Sequence, residues 1–205
     1  MSEERAHESY GQGGLTWVDR FGVWLSQRAI RKHLPQRGGL KILELGCGYR
    51  ATQLVALADR IGHGTGVDFT IAPEVKKLDR FSFFEGPIEE TLPKLERGAF
   101  DAVLLISVLE HLREPLAAIE TAHALLKPGG VLIINVPTWR GKWFLEFSAF
   151  RLGLSPKTEM DDHKMYYDLR DLWPLLVRVG FKPSRLGLRP HKFGLNLFAV
   201  ATKDA

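Results

Sequence analysis

Gly46-Cys47-Gly48-Tyr49-Arg50-Ala51 has the spacing G-x-G-x-x-G/A of a loop that offers backbone N–H groups to a nucleotide-bearing ligand. It follows the apolar run Lys41–Leu45 and precedes a helical stretch near Thr52–Arg60, so it reads as the turn between a buried strand and a helix. Gly46 permits a tight turn, and Gly48 lets a ligand approach with no Cβ in the way. Asp68 stands 20 residues beyond Gly48, at the end of a second strand, Gly64–Asp68. A carboxylate there accepts hydrogen bonds from ribose hydroxyls. The glycines alone would fit any tight turn with a solvated acid nearby. With a strand before them and Asp68 after them, they point to an adenosine-containing ligand.

Glu44 narrows the choice. It lies two residues before Gly46, at the carboxyl end of the first strand. A pyrophosphate on this loop would face that carboxylate, and like charges repel strongly in a partly dry site. S-adenosyl-L-methionine has no phosphate and carries an ammonium and a sulfonium. Glu44 therefore argues for the sulfonium cofactor and against NAD or FAD. A plainer role is an acid that holds the turn through loop N–H groups, and the two roles can coexist. Cys47, between the glycines, suits a small buried side chain and is given no redox role.

Two histidines could serve as a general base near neutral pH. His111 closes Ser107-Val108-Leu109-Glu110-His111, just past a fourth strand. His163 lies in Asp161-Asp162-His163-Lys164. Each has a structural alternative: His111 as a loop closer, His163 packed against an aspartate.

These residues need a frame to hold them. Thr16 and Asp19 have capping-box spacing, and apolar Val18, Phe21, Leu25 and Ala29 follow at helical intervals, so a helix is predicted over 15–34. Pro35 and Gly38-Gly39 end it. Residues 1–14 read as a flexible leader. Short apolar runs then alternate with helical stretches: strands at Lys41–Leu45, Gly64–Asp68, Phe81–Phe84, Asp101–Ile106 and Val131–Val136, with a helix from Pro115 to Leu126. Asp168 starts another helix that Gly180 stops. The tail, Phe181–Gly187 and Lys192–Ala201, reads as a hairpin. The alternation predicts an α/β fold with a Rossmann-like, mostly parallel sheet and helices on both faces. Residues 139–167 break the rhythm, with Trp139, Trp143, Phe144, Phe147 and Phe150 set among Arg140, Lys142 and Arg151.

The chain has 205 residues, 45% hydrophobic and 25% charged, enough for one ordinary core. Its net charge of +4 permits an anionic partner and selects none. The single cysteine excludes an intrachain disulfide, which fits a reducing compartment such as the cytoplasm. The leader has no signal-peptide core, and no apolar run is long enough to span a bilayer.

ILELGCG, GVDFT, FDAVLLISVLEHL, LLKPGGVLIINVP and GLNLFAVATK, in this order, resemble the class I S-adenosylmethionine-dependent methyltransferases, and most of all the small bacterial enzymes with a type 11 methyltransferase domain. The resemblance covers about residues 40–201. It implies one methyltransferase domain over 15–205, a seven-stranded sheet closing in an antiparallel hairpin, and a lid-like insertion at 139–167. It implies that Glu44, Gly46, Cys47 and Gly48 cradle the methionine portion and that Asp68 holds the ribose, with Phe69 beside the adenosine. Glu85-Gly86-Pro87-Ile88 would border the adenine. Pro87 stands where many relatives have an Asp for the exocyclic amine, which leaves Ile88 as the contact. Ile106 and Ser107 would flank the methionine and open toward the acceptor. Some quinone O-methyltransferases have Glu at the Ser107 position, and their Glu-x-x-Glu-His binds a divalent metal. Ser107 removes that ligand, so no metal is expected. His163 lies where related enzymes often carry a substrate-facing histidine.

The expected activity is methyl transfer from S-adenosyl-L-methionine, leaving S-adenosyl-L-homocysteine, to a small-molecule, glycan or lipid-linked acceptor, with oxygen favoured. Base-amine methyltransferases show (Asn/Asp)-Pro-Pro-aromatic after the fourth strand. Here Ser107-Val108-Leu109-Glu110 stands there, and no nucleic-acid partner is expected. A nucleic-acid or protein methyltransferase and a non-catalytic adenosine-binding role remain the alternatives. The aromatic segment and the basic first helix together also fit peripheral contact with an inner membrane face.

Overall fold

The computed structural model describes Tyr10, Gly14, residues 16–142 and residues 164–205. The rest of the expected leader, most of the 139–167 insertion and His163 lie outside the described residues.

Seven strands form one sheet: β1 (Leu40–Leu45), β2 (Ile61–Asp68), β3 (Phe81–Glu85), β4 (Phe100–Ile106), β5 (Leu126–Pro137), β6 (Leu186–His191) and β7 (Asn196–Thr202). Their order is β3-β2-β1-β4-β5-β7-β6. The pairs from β3 to β5 are parallel, and β7 runs antiparallel to both β5 and β6. This is the Rossmann-like methyltransferase sheet with its terminal hairpin. The order in which strands are added reverses between β1 and β4, so the β1 and β4 carboxyl ends flank the crevice where such sheets take ligands.

Alternation along the strands sorts the side chains. Leu43, Leu45, Val103, Leu105, Leu132, Ile134 and Val136 pack on one face against Ala118, Ile119 and Ala122 of α4 (Pro115–Leu125) and Leu172 and Leu176 of α5 (Leu169–Val179). Leu40, Ile42, Ala102, Leu104, Ile133 and Phe198 pack on the other, against Ala29 and Ile30 of α1 (Trp17–His33) and Leu54 of α2 (Thr52–Val55). The remaining helix, α3 (Ile88–Thr91), follows β3.

The capping box at Thr16 is present: Asp19 N–H donates to Thr16 Oγ1 at 3.2 Å, and Thr16 N–H to Asp19 Oδ2 at 2.9 Å. Asp168 and Asp171 repeat the device at α5, and Gly180 ends that helix at φ 112°. The apolar spacing of α1 does not translate into burial throughout. Ser26, Ala29 and Ile30 are buried, but Trp17, Val18, Phe21 and Trp24 are exposed. Only the carboxyl half of the helix packs into the core cluster. The helix at Thr52 is one turn long rather than reaching Arg60. β6 begins at Leu186 rather than Phe181 because Pro183 opens a 3-10 turn.

Asp101 clamps the amino ends of the central strands. It is 4% exposed and accepts from the Lys41 N–H at 2.8 Å and the Lys127 ammonium at 2.9 Å, with the Arg37 guanidinium as a third partner. Burial pushes its carboxyl up, but the Lys41 N–H and the Lys127 and Arg37 charges outweigh that and hold it below the ordinary aspartate range. A depressed folded-state value contributes stability above the unfolded value, and that stability is lost as pH falls through the folded one. Asp101→Ala should therefore cost about 2–4 kcal/mol at pH 7, since it orphans a buried N–H and two cations. The difference from wild type in urea unfolding should shrink as the pH falls below the ordinary aspartate range. A pH-independent difference would contradict the clamp.

Candidate active site

The glycine loop is held open by the chain itself. The Gly46 and Cys47 N–H groups both donate to Val67 O, at 2.8 and 3.1 Å. The Gly48 N–H donates to Asp68 Oδ2 at 2.6 Å, and the Phe69 N–H to Asp68 Oδ1 at 2.8 Å. Asp68 is 8% exposed, so it is not the solvated acid of the plain turn. It takes the turn-holding role that the sequence made available to Glu44.

Gly46 and Gly48 both have positive φ, 68° and 75°. A Cβ on Gly46 would lie 2.4 Å from Val108 Cγ2, so the β1 and β4 loops meet at a contact that only glycine allows. A Cβ on Gly48 would lie 3.0 Å from the Tyr10 carbonyl, which accepts from the Tyr49 N–H at 2.9 Å. Residue 10 thus lies directly against the loop, a contact that the sequence did not signal. Cys47 is buried, its Sγ turned toward Gly66, and burial pushes its thiol far up. It offers the site backbone alone.

Glu44 lies on the α1 side of β1, 1% exposed. Its Oε2 has no hydrogen-bond partner among the described residues. Burial drives its carboxyl well above the ordinary range; the Leu54 N–H opposes this and the Asp68 charge adds to it. Leu54 is the third residue of α2, whose N-cap, Ala51, has no capping side chain. Glu44 therefore supplies from β1 the cap that α2 lacks locally.

Its orphaned oxygen has company. Ser26 Oγ, Gln53 Oε1, Glu110 Oε2 and both amide atoms of Asn135 are buried without partners among the described residues. Asn135 is fully buried in β5, aligned with Ile106 and Phe198, and alternation places it on the α1 side with Glu44. Each such orphan costs about 1–3 kcal/mol. Their concentration between α1 and the carboxyl ends of β1, β4 and β5 marks a region suited to a polar ligand. Asn135 is the residue that sequence reasoning missed. A lone amide inside the apolar run Val131–Val136 was the available signal.

The other expected residues stand at the same edge of the sheet. Ile106 ends β4 and packs on the α1-side core. Ser107 is exposed at φ 56°, its N–H donating to Asn135 O at 2.7 Å. Phe69 is 39% exposed beside Asp68. Gly86 N–H donates to Asp68 O at 3.0 Å, which ties the adenine-border segment to the end of β2. Ile88 opens α3, where backbone N–H groups lack helical partners. His111 ends a 3-10 turn (Leu109–His111), half-buried, next to the fully buried Glu110. The structure thus brings Glu44, Gly46, Cys47, Gly48, Asp68, Phe69, Ile88, Ile106, Ser107 and His111 to the carboxyl edge of the sheet.

Gly46→Ala should lose about 2–4 kcal/mol of stability, from the clash with Val108 and from an alanine forced to positive φ. Adding Val108→Ala should make the two changes less than additive. Strict additivity in a double-mutant cycle would place the contact elsewhere.

Residues 18–185 match the profile of a family described as a methyltransferase domain. A ubiquinone biosynthesis O-methyltransferase of Xanthomonas campestris is 35% identical over 122 residues, 55% of this chain and 48% of that one. Another of the same name from Pseudomonas aeruginosa is 29% identical over 183 residues, 85% of this chain and 69% of that one. The chain spans about half the length of the first of these relatives. A SAM-dependent methyltransferase structure from Thermotoga maritima superposes with a TM-score of 0.66 at 18% identity, covering 90% of this chain and 91% of that one. With the sheet order, the glycine loop and the family match in agreement, the chain belongs to the methyltransferase-domain family.

Proposed function

We propose that the protein methylates an oxygen of a small-molecule acceptor. The observation that carries the cofactor part is Glu44 Oε2, buried and orphaned beside the glycine loop. The oxygen is favoured by relatives named O-methyltransferases.

In this reading Glu44 receives the cofactor ammonium, and the backbone of Gly46, Cys47 and Gly48 lies along the methionine portion. Asp68 accepts from the ribose hydroxyls while keeping its two bonds to loop N–H groups. Phe69 covers the adenosine, and the Ile88 N–H meets the adenine edge. Ile106 and Ser107 separate the cofactor from the acceptor, with Asn135 facing the acceptor oxygen. When bound, the cofactor supplies a methyl group already activated on its sulfonium. The protein's share is therefore orientation and exclusion of water. A hydroxyl acceptor must also lose its proton, and His111, in the turn beyond Ser107, is the described residue assigned that step. His163 is the second candidate. Glycan- and lipid-linked acceptors share the hydroxyl chemistry.

One surface observation favours an acceptor met at a lipid interface. Trp17 is 78% exposed and Trp24 52%, and Phe21 stacks on Trp24 at 5.8 Å, with Arg20 and Arg28 on the same helix. We propose that this end of α1 rests on anionic lipid. No helix among the described residues is long and apolar enough to cross a membrane. Co-sedimentation with phosphatidylglycerol vesicles at low salt should pellet the protein, and Trp17→Ala with Trp24→Ala should abolish pelleting. Wild type that stays in the supernatant would remove this reading.

Methyl transfer from labelled cofactor to a panel of phenols and catechols should yield O-methyl products by mass spectrometry. Transfer only to nitrogen, carbon or nucleic acid would contradict the proposal. Glu44 carries a pH signature. Its raised value means that it binds a proton in the free protein well above the ordinary carboxylate range, and a cofactor ammonium favours the charged form. Cofactor binding should release a proton, and affinity should rise as pH rises above the ordinary carboxylate range. Calorimetry in two buffers of different ionisation enthalpy measures this. Glu44→Gln should abolish the release and weaken binding about ten-fold or more. Wild-type binding without proton release would contradict the role of Glu44.

A further inference from the structure

The turn between β6 and β7 holds two consecutive non-glycine residues at positive φ, Lys192 at 47° and Phe193 at 61°. Such conformations cost about 1 kcal/mol or more each and persist where the surroundings over-determine them. Thr138 pins the turn, with Oγ1 donating to Gly194 O and the N–H donating to Leu195 O, both at 2.9 Å. The strain does nothing for Phe193, which is 84% exposed. What it achieves is to send the Lys192 side chain inward: the ammonium lies 3.5 Å from where a Cβ on Gly22 of α1 would stand.

There Lys192 feels the charge of Glu110, which is 1% exposed and whose Oε2 has no hydrogen-bond partner among the described residues. The orphaned Oε2 shows that the ammonium does not reach it, so a partly buried cation and a buried carboxyl stand near each other without that bond. Among the described residues, the other charged or titratable neighbours include Asp19, Arg189 and His191 around Lys192, and Tyr167 beside Glu110, its hydroxyl pushed up to about 12 by burial and the Glu110 charge. Asp19 holds the Thr16 N–H and hydroxyl through Oδ2. Burial and the adjacent Lys192 and Arg189 charges push His191 down to about 4, so it is neutral at pH 7. Burial pushes Glu110 up to about 8, so at pH 7 it is mostly protonated and can donate from the orphaned oxygen.

We propose that Lys192 and Glu110 form an anchoring subsite for a carboxylate carried by the acceptor, met by the Lys192 ammonium on one side and Glu110 Oε2 on the other. The subsite rests on the reading of the chain as a small-molecule methyltransferase. Its lysine stands apart from the cofactor cradle. The glycine loop belongs to β1, and β7 stands three strands away, about 14 Å at ordinary strand spacing, beyond β4 and β5. An acceptor tethered there extends back toward Asn135 and the end of β4. An ammonium and a carboxyl proton give two donors to one carboxylate, which removes the orphan and places a counter-charge on the partly buried lysine.

Benzoate and benzamide are the probes, titrated calorimetrically into protein preloaded with S-adenosyl-L-homocysteine. The wild type should prefer benzoate at least ten-fold. Lys192→Met should erase the preference, and Lys192→Arg should restore part of it, with homocysteine-cofactor affinity changed less than two-fold in each. Equal affinity for the two probes, binding of neither, or a preference that survives Lys192→Met overturns the subsite. If the protein does not take up the homocysteine cofactor, the methyltransferase reading fails instead. The two probes titrated into protein alone then decide the subsite by the same criteria. A structural role for Lys192 alone would lower thermal stability and leave probe preference intact.

Discussion

A glycine loop can cradle a ligand only if something other than the ligand keeps it open, and here that is the Asp68 carboxylate. One oxygen takes the Gly48 N–H and the other the Phe69 N–H, so the end of β2 and the turn after β1 are fixed to each other. Everything around the loop follows from that tie. Gly46 can approach Val108 because the turn is held tightly, and the Tyr10 carbonyl can lie across Gly48 because no Cβ intervenes. With Asp68 holding the turn, Glu44 is left with one orphaned oxygen in a dry place. A protein keeps such a group where it has a use for it, and the use that fits is a cation.

The division of labour between these two acids bears on the choice of cofactor. Glu44 in front of the glycines was the reason to favour a sulfonium ligand over a pyrophosphate, and its burial strengthens that reason. A second negative charge brought to an already dry carboxyl would raise its cost further, whereas an ammonium would relieve it. The family match and the sheet order lead to the same cofactor by an independent route.

Much of the frame was legible because parallel strands buried on both faces read as plain apolar runs, and β1, β4 and β5 are such runs. Caps at Thr16 and Asp168 and the stop at Gly180 were legible because they are local chemistry. What escaped was non-local. The cap of α2 comes from Glu44 on a strand, the partner of Gly48 is Asp68, and neither pairing has a local signature. The exposure of Trp17, Phe21 and Trp24 depends on how far the sheet extends beneath α1, which periodicity does not encode. Asn135 was visible as an amide in an apolar run, but that both of its amide atoms are orphaned is a property of the folded neighbourhood. Lys192 was legible only as a residue of a predicted tail strand, and its inward turn depends on a strained conformation that spacing does not reveal.

The central claim is that the orphaned acid and the glycine loop are built for a sulfonium cofactor. Isothermal titration of one preparation with S-adenosyl-L-methionine, S-adenosyl-L-homocysteine and NADH tests it most directly. Saturable binding of the first two and none of NADH is the predicted result. Binding of NADH without binding of either sulfur-containing ligand would contradict it.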